Sequence, residues 1–453
     1  MPKLYYAKQN IYVNTNNNVL FDLNKLEIYE MDEATLKIFK DLYFNEDIVI
    51  NTKEKSEVFE EFFNNPDSSK SEDKNTITNI RLNISNICNL KCSYCYANQG
   101  NYGKENNLMK PDLAQKICEY IDYNFPNVEE ISFFGGEPLL NIDVLELICK
   151  YFSSKNKKFS IVTNLTLIDD RVISLIKQYN IAITESLDGP KDINDINRLT
   201  LDNKGTFDTI SENIKQLNSE VPNSLKMIEA TYTKYSYKKY TKKQLSDYFY
   251  ENFKVSNIMF GDVITDNKEL ELPYKYNEYN IATLSDDIKY LYDGLRDNKL
   301  SFLDKCAVPL LMLFTQKRNE RFCNAGINSI LIDEMGDIWP CQSYINRDEF
   351  KMGNILNFES SKDKTEFNNV KQRLKNIKKC NLEHCNECIA QYWCDKCIAY
   401  TSLTDSNQKN YYDKYKCYYN KLLTEKVLDE LSTYVINGEI RLINENFKKL
   451  IEV

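Results

Sequence analysis

The chain carries a single histidine, His384, among its 453 residues, so a zinc site of mixed cysteine and histidine ligands has little to draw on. No Lys/Arg-dense stripe stands out: 58 basic residues face 67 acidic ones, for a formal charge of -9. A nucleic-acid backbone is thereby excluded as the main partner. The opening "MPKLYYAKQNIYVNTNN" lacks a continuous apolar stretch and a small-residue cleavage site, and no later run approaches the ~18–20 apolar residues of a membrane span. A soluble, cytoplasmic protein is expected. No internal repeat is visible.

Cysteine, by contrast, is abundant. Fourteen cysteines in a reducing compartment argue against a disulfide framework and for metal or redox chemistry. At about 100–200 residues per domain the length implies several domains. The first segment alternates in period two, and "KLYYAKQ", "NIYVNT" and "NVLFDL" predict three short strands separated by Asn-rich turns. Helices follow: "MDEATLKIFKDLYF", with Asp32 as its N-cap, and "EKSEVFEEFFNN". The polar run at 65–75 predicts a boundary.

From residue 76 strands alternate with helices. "ITNIRLNIS", "EEISFFGG", "KFSIVTN", "IAITESLD", "LKMIEATYT" and "VSNIMFGDV" are β-rich runs, and segments such as "PDLAQKICEYIDYNF" and "IDVLELICKYFSS" have helical spacing. Repeated βα units predict an α/β fold: a parallel sheet rolled wholly or partly into a barrel, with functional residues at the carboxyl ends of its strands. Beyond about residue 301 the alternation stops and the cysteines concentrate. That density predicts a small fold held together by metal. Helical periodicity returns from Tyr418.

The loop "NICNLKCSYCYANQG" places Cys88, Cys92 and Cys95 three and two residues apart, a spacing that lets thiolates converge on one iron–sulfur centre. A zinc knuckle would need a fourth protein ligand nearby, and His384 is distant. An iron left open for another ligand is the better reading. The CxxxCxxC arrangement, with Tyr94 just before the last cysteine, resembles the signature of radical S-adenosylmethionine (radical SAM) enzymes. In that family three cysteines hold a [4Fe–4S] cluster whose fourth iron is chelated by S-adenosylmethionine, and reductive cleavage releases a 5′-deoxyadenosyl radical. Further motifs follow in order. Gly135, Gly136, Glu137 and Pro138 match the family's GGEP motif, whose glutamate accepts from the methionyl ammonium. Asn164 and Ser186 (the latter two residues before Asp188) resemble strand-end contacts to the ribose or carboxylate, and Arg198 aligns with an arginine that neutralises the carboxylate. Where the family has a histidine this chain has Asn194.

The later cysteines resemble the SPASM extension of these enzymes, which carries two auxiliary clusters. The Gly336–Cys341 element and "CNECIAQYWCDKC" carry the likeness. By order, Cys306, Cys323, Cys341 and Cys397 would hold the first cluster, and Cys385, Cys388, Cys394 and Cys417 the second. The chain has two residues between Cys394 and Cys397 where the family usually has three, and Cys380 is a nearby thiol that could replace a ligand. Cys118 and Cys149 sit on helical patterns and read as buried small residues.

The amino-terminal strands and helices resemble the winged-helix peptide-recognition domain of maturases acting on ribosomally made peptides. The implied organisation is a winged-helix-like leader-recognition domain over 1–75, a partial (β/α)6 TIM-like radical SAM barrel over 76–300, a SPASM domain over 301–422 and a helical tail over 423–453. The resemblance implies three [4Fe–4S] clusters and S-adenosylmethionine as cofactors. Its implied partners are a cysteine-rich precursor peptide, bound through its leader, and an external reductant of flavodoxin or ferredoxin type, with no nucleic acid or membrane. Its implied chemistry is thioether formation between a cysteine sulfur and carbon. Carbon–carbon crosslinking, sulfatase maturation to formylglycine, and a non-enzymatic iron–sulfur or zinc peptide-binding protein are the competing readings. Asp262 and Glu229 are only candidates for a general base.

Overall fold

A computed structural model describes residues 3–8, 10–44, 76–265, 267–272, 278–298, 306–358, 361–394, 396–400 and 414–451. The helix expected from "EKSEVFEEFFNN" and the boundary at 65–75 lie outside the described residues. The chain divides into two compact units: Met1–Asp73 with Tyr274–Cys323 and Ile377–Val453, and Lys74–Pro273 with Asn324–Asn376.

In the first unit, β1 (Lys3–Tyr6), β2 (Ile11–Asn14), β3 (Val19–Asp22) and β4 (Glu27–Glu30) form an antiparallel meander in that order. The turns follow from their asparagines: Asn10 and Asn18 take positive φ, and the Asn14 Oδ1 accepts from the backbone N–H of Asn16 and Asn17 at 3.0 Å. Three strands are expected from the sequence and four are found. β4 was not legible because Glu27 and Glu30 flank only Ile28 and Tyr29, and none of the four is fully buried. Helix Glu33–Phe44 begins as expected, with the Asp32 Oδ1 accepting from the Thr35 N–H at 2.7 Å. Its Leu36 and Phe39 pack with Leu4, Ile11, Val13 and Leu20. The alternate strand residues Tyr12, Val19 and Phe21 join a second core with Leu291, Leu310 and Leu431 from three helices, Glu278–Arg296, Ala307–Thr315 and Lys414–Ile436.

In the second unit, β5 (Asn79–Ser85), β6 (Glu130–Gly135), β7 (Lys158–Thr163), β8 (Ala182–Ser186), β9 (Leu225–Tyr232) and β10 (Ile258–Asp262) are parallel and adjacent in sequence order. These are the six runs read from the sequence. Their residues alternate: Ile161 and Ile183 point to a layer of Leu145, Val172 and Ile176 from the crossover helices, while Phe134, Ser186 and Glu229 are on the opposite face, less buried. Helices covering one face of a parallel sheet make a partial barrel.

Three further strands extend this sheet. β11 (Ser329–Ile332) runs parallel to β5, and β12 (Asp337–Trp339) and β13 (Gly353–Asn354) follow antiparallel. The segment expected as one SPASM domain over 301–422 is therefore divided between the two units. The physical reason is that Ile330 and Ile332 are fully buried beside β5, so residues 324–376 complete the barrel unit. Among the described residues no helix is long and apolar enough to cross a membrane.

Candidate active site at the carboxyl ends of the parallel strands

The loop leaving β5 carries Cys88, Cys92 and Cys95, all partly buried. It is pinned along its length: the Lys91 N–H donates to the Leu199 carbonyl (2.8 Å) and the Ser93 N–H to the Asn197 carbonyl (2.9 Å). Two sulfurs already face backbone donors, with Leu90 N 3.4 Å from Cys88 Sγ and Gln99 N 3.2 Å from Cys95 Sγ. Such donors favour an anionic thiolate or cluster. Burial pushes the Cys88 thiol up to about 12, with the Glu137 carboxylate adding to it, and burial also raises Cys92. These thiols hold their protons until a metal displaces them.

The end of β6 packs directly on this loop. Gly136 N–H donates to the Ser85 carbonyl (2.7 Å) and Glu137 N–H to the Ile87 carbonyl (2.8 Å). Gly135 has φ 149°, and a Cβ there would lie 2.1 Å from the Ser85 oxygen. A Cβ on Gly136 would lie 2.4 Å from the Ile87 oxygen. The absence of side chains on these two glycines lets the end of β6 approach the chain's own cysteine loop. Glu137 is 0 % exposed and accepts from Leu139 N (3.0 Å), Thr163 Oγ1 (2.7 Å) and Asn164 N (2.8 Å). A carboxylate has about four acceptor positions, so its own chain takes most of them. Pro138 opens the short turn Pro138–Asn141 that Glu137 caps.

Asn164, at the end of β7, donates to Asn89 Oδ1 (2.9 Å) and approaches Cys88 Sγ (3.8 Å), so it ties that strand to the cysteine loop. Ser186 ends β8, in register with Glu229. Tyr94 OH lies 2.7 Å and 2.9 Å from the Asp188 carboxylate oxygens and accepts from Arg198 Nη1 at 2.8 Å. The Arg198 guanidinium is 3.9 Å from Asp188 Oδ1. Asn194 is fully buried; its Nδ2 donates to Thr206 Oγ1 (3.1 Å) and its Oδ1 accepts from Asp188 N (3.5 Å), a structural use of that position. Tyr94, Asn164, Ser186 and Arg198 thus stand at or beside neighbouring strand ends, and their hydrogen-bond wiring depends on long-range contacts that the sequence does not display. Of the candidate bases, Asp262 is paired with Lys242 at 3.2 Å, and burial raises the carboxyl of Glu229.

Two buried groups here have unmet hydrogen bonds: Arg198 Nε, on a residue 6 % exposed, and both oxygens of Glu185, which is 0 % exposed. Burial pushes the Glu185 carboxyl well above the carboxylate range. The period-two pattern of β8 gave Glu185 a place on the covered face, but a glutamate there carries no sequence signal. A buried guanidinium with a spare donor beside three thiols on one loop fits an anionic oxygen next to an iron–sulfur cluster, so the residues present fit S-adenosylmethionine and a [4Fe–4S] cluster. Among the described residues, no three His, Cys, Asp or Glu side chains group closely enough to hold a single metal ion; cluster thiolates instead bind the corners of a larger body.

The second cysteine region lies elsewhere in the fold. Cys385, Cys388, Cys394 and Cys417 line one cavity in the first unit, together with Phe322, Lys379 and Asn420. Burial pushes Cys388 up to about 11. Cys380 is exposed and is not among the lining residues. Of the other expected set, Cys306, Cys323 and Cys397 belong to the first unit and Cys341 to the second. Cys118 and Cys149 are fully buried on helices Pro111–Asn124 and Ile142–Phe152.

The Radical SAM superfamily model matches residues 82–233, the span from β5 to β9. The chain is 30% identical over 267 residues to the uncharacterized protein MJ0907 of Methanocaldococcus jannaschii, covering 57% of this chain and 83% of that one. It is 26% identical over 363 residues to the radical SAM cyclopropyl synthase TigE of Paramaledivibacter caminithermalis (70% and 72% covered). It is 29% identical over 293 residues to a cysteine-type anaerobic sulfatase-maturating enzyme of Clostridium novyi (60% and 74%). Among solved structures, native anSMEcpe with bound AdoMet and Cp18Cys peptide superposes with a TM-score of 0.63 at 19% identity, covering 80% of this chain and 99% of that one. Streptococcus suis SuiB bound to precursor peptide SuiA gives 0.54 at 18%, covering 92% and 98%. With the cysteine loop, the strand-end motifs and the six-stranded partial barrel in place, the chain belongs to the radical SAM superfamily. It is a radical SAM enzyme, and its relatives include enzymes that mature proteins and peptides.

Proposed function

We propose that this enzyme matures a ribosomally made, cysteine-rich precursor peptide in the cytoplasm by joining a cysteine sulfur to carbon as a thioether. The observation that carries the reading is the presence, in one chain, of a radical SAM cysteine loop, a second cavity lined by four cysteines, and an amino-terminal sheet ending in β4. Among the described residues the outer edge of β4 has no strand beside it, and a peptide leader could add a strand there through main-chain hydrogen bonds.

Cys88, Cys92 and Cys95 would hold the first cluster. The backbone of Gly135, Gly136, Glu137 and Pro138, with Asn164, Ser186 and the Tyr94–Asp188–Arg198 network, would hold S-adenosylmethionine, Arg198 turning its spare Nε–H to the carboxylate. When bound and reduced, by a flavodoxin- or ferredoxin-type donor, this pair supplies a 5′-deoxyadenosyl radical that takes a hydrogen atom from the peptide. Cys385, Cys388, Cys394 and Cys417 would carry an auxiliary cluster that takes the surplus electron as the sulfur bonds to carbon and its thiol proton leaves. The low-dielectric interior of the barrel keeps water from the radical.

The likeness to TigE favours carbon–carbon bond formation as a second reading. Mass spectrometry of a co-expressed cysteine-rich precursor separates the two. Thioether formation removes a hydrogen pair per bond and leaves its cysteine resistant to alkylation. A modified peptide in which every thiol still alkylates would reject the thioether.

A further inference from the structure

Apart from its cysteines, the polar side chains lining the carboxy-terminal cavity are Lys379, His384, Gln391 and Asn420. Each of them carries N–H groups. Two are placed with particular definition. Asn420 stands three residues after Cys417 on helix Lys414–Ile436, so both fall on the same helix face. Its Nδ2 donates to Cys394 Sγ at 3.2 Å. The Asn420 carbonyl accepts from Thr424 Oγ1 (2.7 Å), which in turn accepts from Trp393 Nε1 (2.6 Å), so the turn carrying Asn420 is fixed to the segment carrying Cys394. Lys379 is 1 % exposed, and its ammonium is held by the carbonyls of Asn319 and Tyr392, each at 3.1 Å.

We infer that Asn420 and Lys379 raise the reduction potential of the cluster held by Cys385, Cys388, Cys394 and Cys417, and so make it an acceptor for the electron released by the substrate. The inference rests on the reading of these cysteines as auxiliary-cluster ligands. An electron added to a thiolate-ligated cluster places more negative charge on its sulfurs. A donor aimed at a ligand sulfur and a fixed cation at the cavity wall stabilise that reduced form, and the buried setting strengthens both effects. The electron count closes. A carbon-centred radical and a thiolate sulfur bring three electrons to a bond that keeps two; the third reduces the oxidised cluster, and the thiol proton has already passed to solvent.

The test is an electron-paramagnetic-resonance redox titration of the anaerobically purified, iron-loaded full chain, with no peptide present. The relevant signal is assigned by its loss in Cys388→Ala. Asn420→Leu removes the donor and is expected to shift the reduction equilibrium about tenfold toward the oxidised cluster, about 59 mV lower for one electron. Asn420→Asp keeps the shape, replaces the donor by an acceptor and is expected to shift it at least as far. Lys379→Met shifts it in the same direction, and the signal that depends on Cys92 stays where it was. An unchanged midpoint in both Asn420 variants, an equal shift of every signal, or loss of the cluster from both Asn420 variants would overturn the tuning role. Absence of any Cys388-dependent signal in the unsubstituted chain would instead overturn the auxiliary-cluster reading beneath it.

Discussion

The Tyr94 hydroxyl donates into the Asp188 carboxylate, 2.7 Å from Oδ2, and joins the residue before Cys95 to the loop just past β8. The same oxygen accepts from Arg198, so one phenol holds a buried acid and a buried base in place. Tyr94→Phe leaves both short of a partner, and a cost of about 1–3 kcal/mol is expected, with weaker S-adenosylmethionine binding. Asp188→Ala strands Arg198 as well and should cost about 3–5 kcal/mol. Urea unfolding and calorimetric titration with S-adenosylmethionine measure the two effects.

Gly136→Ala tests the contact between β6 and the cysteine loop. Its Cβ would sit 2.4 Å from the Ile87 carbonyl oxygen, a backbone atom that cannot swing aside. Overpacking of about 1–3 kcal/mol is expected, together with loss of iron from the first cluster. Gly103→Ala is the comparison: φ is +80° but nothing lies within 4 Å of its Cβ. It should cost only the left-handed strain of about 1–2 kcal/mol and keep its iron on elemental analysis.

Glu334, just past β11, gives a pH signature. Burial, with Asp333 beside it, raises its carboxyl from 4.5 to about 7, and its Oε1 accepts from Asn86 Nδ2 at 2.8 Å, two residues before Cys88. Below 4.5 both folded and unfolded chains hold the proton; between 4.5 and about 7 only the folded chain does. Stability from this group therefore falls as pH rises through that window, by about 3 kcal/mol, and is level above it. Urea midpoints compared between about pH 5 and pH 8 should fall less for Glu334→Gln than for the unsubstituted chain.

Removing thiols separates the two cysteine regions. Cys92→Ala should abolish 5′-deoxyadenosine release under reduction. Cys388→Ala should keep part of that release while losing the crosslinked product. Chromatography of the nucleoside and mass spectrometry of the peptide read the two outcomes.

The parallel strands were legible because each alternates or runs apolar between polar helices: β5 to β10 begin and end within the expected runs. The cysteine loop was legible because its chemistry is local. What sequence did not show was set by distance or by competing signals. The Tyr94–Asp188–Arg198 network joins residues 94 and 104 positions apart. β11 has only four residues and lies in a stretch whose cysteines drew the reading toward a metal-held domain, although its Leu331 pairs with Arg81 in the barrel sheet. The Glu137 carboxylate was assigned to a ligand because its motif suggests one; the capping of Leu139 and the bridge to Thr163 depend on where β7 ends.

The most direct test of the account counts two quantities in one anaerobic reaction of the reduced, iron-loaded enzyme with its cysteine-rich precursor: 5′-deoxyadenosine released and cysteines that cease to alkylate. Both are expected to rise together, one nucleoside for each protected cysteine. Release of the nucleoside while every cysteine still alkylates, or protection without the nucleoside, would contradict it.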